Sequence, residues 1–115
     1  MNSPADDKRS VSQLFEVALR SEDEDLRWDA VAALHWRGSR DVFDRAAQLC
    51  QSRNAEKRAL GADILGQLGV PDRTFPEESF DAIVRLLSDT SDEVLFCSII
   101  ALQHVDSEQI GRAHV

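Results

Sequence analysis

Apolar residues recur at spacings of three and four through most of the chain, the period of a helix and not of a strand. Leu14, Phe15, Ala18 and Leu19 share one face of residues 11–20. Val42, Ala46, Leu49 and Cys50 do the same in residues 41–51, and Phe80, Ile83, Val84, Leu86 and Leu87 in residues 77–88. Each of these predicted helices is followed by a second one, over residues 25–38, 56–69 and 93–106. Thr74-Phe75-Pro76-Glu77 reads as a capping box with Pro early in the helix that follows.

The three second helices align with one another. Leu34, Leu65 and Leu102 fall in one column, and Ala30, Gly61 and Ser98 in another that is always small. Small residues there let a neighbouring helix approach closely. Gly38 and Gly69 stand where a C′ residue takes positive φ, and Asp106 holds that place in the third. Asp23, Asn54 and Ser91 precede the three segments as N-caps, followed by first-turn carboxylates that suit the helix dipole. The spacing between segments is unequal because of the link over residues 70–75, with its Pro71. Since one helix pair cannot bury both faces, the pairs are expected to stack.

These residues resemble the HEAT repeat family, including its short phycobilin-lyase-type version. The second helix of that family reads acidic–x–Arg–x–x–Ala–x–x–Ala–Leu–x–x–x–Gly. The first segment keeps it as Asp25, Arg27, Ala30, Ala33, Leu34 and Gly38. The second keeps Glu56, Arg58, Leu65 and Gly69, with Gly61 and Ile64 at the alanine positions. The third has Glu93, Ala101 and Leu102, but Leu95 replaces the Arg and Asp106 the Gly. The resemblance implies an all-α fold, a right-handed α-α superhelix (α-solenoid) of about three HEAT-like helix pairs. The repeat domain would span residues 11–106, as repeats 11–38, 39–69 and 75–106. Residues 1–10 would form a flexible leading segment and 107–115 a tail.

That tail is too short for another pair, so the chain is expected either to be cut from a longer array or to cover its last helix with another subunit. Self-association would then run through Phe96 and Ile100. Ile99 is expected in the core with Val31 and Ala62, and Trp28, aligned with Ala59 and Phe96, in the core as well. Trp36 shares a column with polar Gln67 and His104, which points to an exposed place on the second helices, where family arrays form their concave binding face. A partner contact and closure of the array's end both fit Trp36. Arg27 and Arg58 fit either a partner contact or salt bridges to neighbouring repeats.

Composition narrows the function. The chain has 115 residues, 43% hydrophobic and 30% charged, a globular balance for one domain. Its 13 basic residues face 21 acidic ones, for a net charge of -8. That disfavours nucleic acid, which is held through clustered cations. Cys50 and Cys97 sit in apolar helical patterns and read as buried thiols in a reducing cytoplasm. No apolar stretch reads as a signal peptide or membrane span.

Catalytic constellations are missing. His35, His104 and His114 show no metal-binding spacing, and no base–nucleophile set accompanies them. The acidic run at residues 21–25 lacks the Gly of a calcium loop and reads as a helix start. Gly61, Gly66 and Gly69 do not form a phosphate loop. The expectation is a non-catalytic protein–protein interaction or scaffold module, using Trp36, Gln67, His104, Arg27 and Arg58, with no cofactor or metal. A lyase subunit or a nucleic-acid-repair protein on the same fold is the alternative.

Overall fold

The computed structural model describes residues 4–70 and 72–113, with side chains through Val105. Among the described residues six α-helices follow one another: α1 (Val11–Arg20), α2 (Glu24–Arg37), α3 (Arg40–Cys50), α4 (Ala55–Gly66), α5 (Pro76–Val84) and α6 (Asp92–Ala113). A 3-10 turn, Pro4–Asp6, precedes α1, and another, Arg85–Ser88, takes over from α5. The helix expected over residues 77–88 therefore tightens in its last turn. α6 runs past the expected end at Asp106 to Ala113. Among the described residues there is no strand, and no helix is long and apolar enough to cross a membrane.

The caps follow local chemistry. Asp23, Asn54 and Ser91 accept from the amides of Leu26, Lys57 and Val94, as the sequence predicts. Ser39 caps α3, and Ser10 and Gln13 form a reciprocal capping box on α1. Each cap is worth about 1 kcal/mol.

The capping box predicted at Thr74–Glu77 does not form. Phe75 is the N-cap residue of α5, left-handed at φ 51° and without a side-chain cap. Thr74 Oγ1 instead donates to the Gly38 carbonyl at 2.7 Å. A tertiary acceptor outcompetes the local one. The strained backbone at Phe75 is held by its ring, which packs on Phe43 at 5.6 Å between centroids, with the Arg40 guanidinium over both rings.

Helices pair as α1–α2, α3–α4 and α5–α6, and α4 also packs on α6. First helices connect to first helices: Arg45 of α3 donates to Ser12 of α1, and Arg40 of α3 pairs with Glu78 of α5. Second helices connect to second helices. The Gly69 amide, just past α4, donates to the His35 carbonyl of α2 at 2.7 Å. Gly66 lies so close to α6 that a Cβ there would stand 2.7 Å from Ala101 Cβ.

Burial follows from this order. α4 buries residues around much of its circumference, from Ala59 and Gly61 to Leu65. Among its described side chains, α6 buries one stripe, Val94, Ser98, Ala101 and Val105. The small column works as expected at Gly61, where a Cβ would meet the Ala46 carbonyl oxygen at 2.7 Å. Gly38 closes α2 at φ 53°, with Gly69 Cα 2.5 Å from where its Cβ would be. Leu34 and Leu65 are fully buried, and Leu102 is half-buried.

Two core expectations fail. Ile99 is half exposed, although its column mates Val31 and Ala62 are buried. Those two lie between helices, whereas no described helix covers the matching side of α6. Trp28 is 55% exposed. Its column mate Ala59 is small enough to lie between helices, and the indole instead stands outside, Nε1 turned to Glu24.

Residues 4–10, read above as flexible, lie against α2. Arg9 bridges Asp7 and Asp29, and Arg37 donates to the Asp7 carbonyl. The hydrogen bonds from Arg9 hold the Asp7 carboxyl down at about 2. Residues 1–3, His114 and Val115 lie outside the described residues.

Candidate functional site

An open groove of about 420 Å³ runs across the second helices. Each helix contributes residues at helical spacing: Glu24, Arg27, Trp28 and Val31 from α2; Glu56, Ala59, Leu60 and Asp63 from α4; Glu93, Phe96, Cys97 and Ile100 from α6. The α4 and α6 sets are the same columns of the sequence repeat. The α2 set is displaced by one residue, equivalent to about 100° of helix rotation.

The groove lies toward the N-terminal halves of α2 and α4. At their C-terminal halves the two helices are clasped. His35 Nε2 donates to the Asp63 carbonyl at 3.1 Å, and the Gly69 amide takes the His35 carbonyl. Ala18, Val31 and Ala59 line the floor. Trp28 on α2 and Phe96 on α6 form its end walls, and Phe96 is 65% exposed. Large apolar side chains in water mark binding surfaces when they gather in one patch.

Carboxylates rim this apolar floor. Glu24, Glu56 and Glu93 all come from first helical turns, where the dipole favours negative charge. Trp28 Nε1 reaches Glu24 at 3.4 Å. The side chains of Glu56, Glu93 and Arg27 make no hydrogen bond or ion pair within the described residues.

Asp63 is the unusual member. Its Oδ2 is shut off from solvent and accepts no hydrogen bond. Burial pushes its carboxyl up, and the neighbouring His35 and His104 pull it back down. Burial pushes His35 down, against the attraction of Asp63. The fold thus gathers His35, Asp63 and His104 from three helices, a grouping that no shared column announces. Among the described residues, no three His, Cys, Asp or Glu side chains are placed to hold a metal ion.

The residues singled out from sequence divide. Arg27 lines the groove. Arg58 lies outside it, clamped by both Asp89 oxygens, at 2.7 and 3.1 Å, and donating to the Ser52 carbonyl. Trp36 is exposed, Gln67 half-buried and His104 exposed. Trp36 follows Trp28 by eight residues, about 12 Å along the axis and about 80° around it, which places it outside the groove. Phe96 and Ile100, expected at an interface between copies, both line the groove. Trp28 and Leu60 are members that the sequence reading missed. Their signal was the i, i+3, i+4, i+7 set beginning at each first-turn Glu.

Both thiols are held toward the protonated form, Cys50 buried and Cys97 half-buried. Burial pushes Cys50 up to about 12. Burial also raises Cys97, with Asp63 and Glu93 adding to it. Compared with models of known protein families, with curated proteins and with solved structures, the chain matches none of them.

Proposed function

We propose that this chain is a non-catalytic protein-interaction module of the HEAT-repeat type. Its three helix pairs stack as a short right-handed α-solenoid, and a partner protein docks on the groove of the second helices. One observation carries the reading: Trp28, Phe96 and Ile100 converge on a single groove while remaining open to water. Leaving them exposed forgoes about 25 cal/mol for each Å² of apolar surface that burial would recover. Aromatic side chains are the commonest anchors of protein interfaces. The carboxylate rim repels phosphate, which opposes a nucleic-acid reader.

The test is recovery of partners from native lysate on immobilised chain, identified by mass spectrometry. Trp28→Ala and Phe96→Ala should each lose the specific partner, because both remove a wall of the groove. Trp36→Ala should retain it. Equal recovery by wild type, Trp28→Ala and Phe96→Ala defeats the reading.

A further inference from the structure

Building on the proposed docking groove, we infer that its occupant is a cationic amphipathic helix of a partner protein, with aliphatic residues on one face and Lys or Arg flanking them.

The shape sets the form of the occupant. The groove passes from α2 across α4 to α6. Packed helices lie 8–10 Å apart, so the crossing is about 20 Å. At 1.5 Å per residue, that length takes a helix of about 13 residues. The floor is apolar and irregular, with small residues at Ala18 and Ala59 that leave room for aliphatic knobs. Trp28 on α2 and Phe96 on α6 stand at its two ends.

Charge selects which helix fits. Glu24, Glu56, Asp63 and Glu93 line the groove and outnumber its one basic residue, Arg27. Glu56 and Glu93 are repeat-equivalent and have no cation of their own among the described residues. A Lys or Arg on the flank of an inserted helix would meet them at the rim. There a charge keeps part of its water, so its desolvation penalty stays small while its direction is still read.

The same charges argue against other occupants. A second copy would bring a molecule of net charge -8 against another of -8, carboxylate rim toward carboxylate rim. Nucleic acid and anionic lipid are repelled in the same way. An uncharged apolar helix would fit the floor but leave the rim unused.

The experiment uses three synthetic peptides of about 14 residues, patterned as amphipathic helices with the same Leu and Ala face. Their polar flanks carry Lys, Gln or Glu. Binding to the full chain is followed by fluorescence anisotropy, with light scattering for the oligomeric state. The Lys peptide should bind at least tenfold more tightly than the Gln peptide, and the Glu peptide should not bind. Added salt should erase that preference. Trp28→Ala should weaken the Lys peptide at least tenfold.

The double variant Glu56→Gln/Glu93→Gln should lose the Lys-over-Gln preference and keep the Gln affinity. Glu16→Gln/Glu77→Gln removes the same charge elsewhere and should change neither. If it lowers Lys binding equally, attraction is to net charge and the inference fails. Equal binding of all three peptides also overturns it, while leaving the groove as a docking surface. A chain that binds no peptide and dimerises through Trp28 gives the groove to a second copy and overturns it too. Failure of the proposed function itself would show separately, as lysate partners indifferent to Trp28→Ala.

Discussion

Gly66→Ala tests the packing that builds the groove, because two known effects oppose each other there. Alanine is the better helix former, by about 0.5–1 kcal/mol in a helix interior. Gly66 is the last residue of α4, so it would realise only part of that gain. Against it stands the approach of α6. The new Cβ would lie 2.7 Å from Ala101 Cβ and 2.8 Å from Ala101 Cα. One of those atoms is backbone, so no rotamer change relieves the clash, and α4 and α6 must move apart. Overpacking of this kind costs about 1–3 kcal/mol. Packing wins, and the net loss should be about 1–2 kcal/mol. For a chain of this size that lowers Tm by about 5–10 °C. Thermal and urea unfolding followed by circular dichroism would measure it. A Gly66→Ala chain as stable as wild type, or more stable, would mean that α4 and α6 do not meet at this point.

Three further outcomes follow from the electrostatics and burial. Asp63→Ala should stabilise the chain at pH 7 by about 1 kcal/mol, since it removes a carboxylate oxygen with no donor and installs the residue found at the matching position, Ala32. The raised Asp63 carboxyl favours the fold only while protonated, so the advantage of the variant should shrink as pH falls through its folded pKa, and urea midpoints across pH would show a constant difference if this is wrong. The hydrogen bonds from Arg58 hold Asp89 below its usual 3.8, so that pair stabilises above this value and is lost as pH falls through the depressed pKa. Asp89→Asn should therefore lower Tm at pH 7 and match wild type in strong acid; equal Tm throughout would reject the clamp. A thiol reagent should leave Cys50 untouched in the native chain, modify Cys97 slowly and label both after unfolding, and fast labelling of Cys50 would contradict its burial.

What was legible in the sequence is what local chemistry dictates. The helices declare themselves through apolar spacing, and Asp23, Asn54 and Ser91 cap where a short oxygen-bearing side chain precedes a first turn. Ser10 and Gln13 are equally local, a Ser-x-x-Gln box in which each side chain answers the other's amide. Gly61 stood out because a column that is always small means a close neighbour. What failed depended on distant groups. Thr74 gave up its local cap because Gly38 offers an unpaired carbonyl across the fold. Ile99 looked like core because its column mates are core, but burial at a column requires a helix beyond it. Trp28 aligned with Ala59, yet a column transmits position and not side-chain size. The groove was hidden for a related reason: α2 presents a set displaced by one residue, so of its lining residues only Trp28 shares a column with residues that line the groove from α4 and α6.

The groove exists only if the indole of Trp28 is open to water at its end wall. The chain has two tryptophans, so Trp36→Phe leaves Trp28 as the sole indole emitter. Its emission should be red-shifted and quenched by acrylamide almost as readily as in the urea-unfolded chain. Blue-shifted emission protected from the quencher would put Trp28 in a closed core and remove the groove.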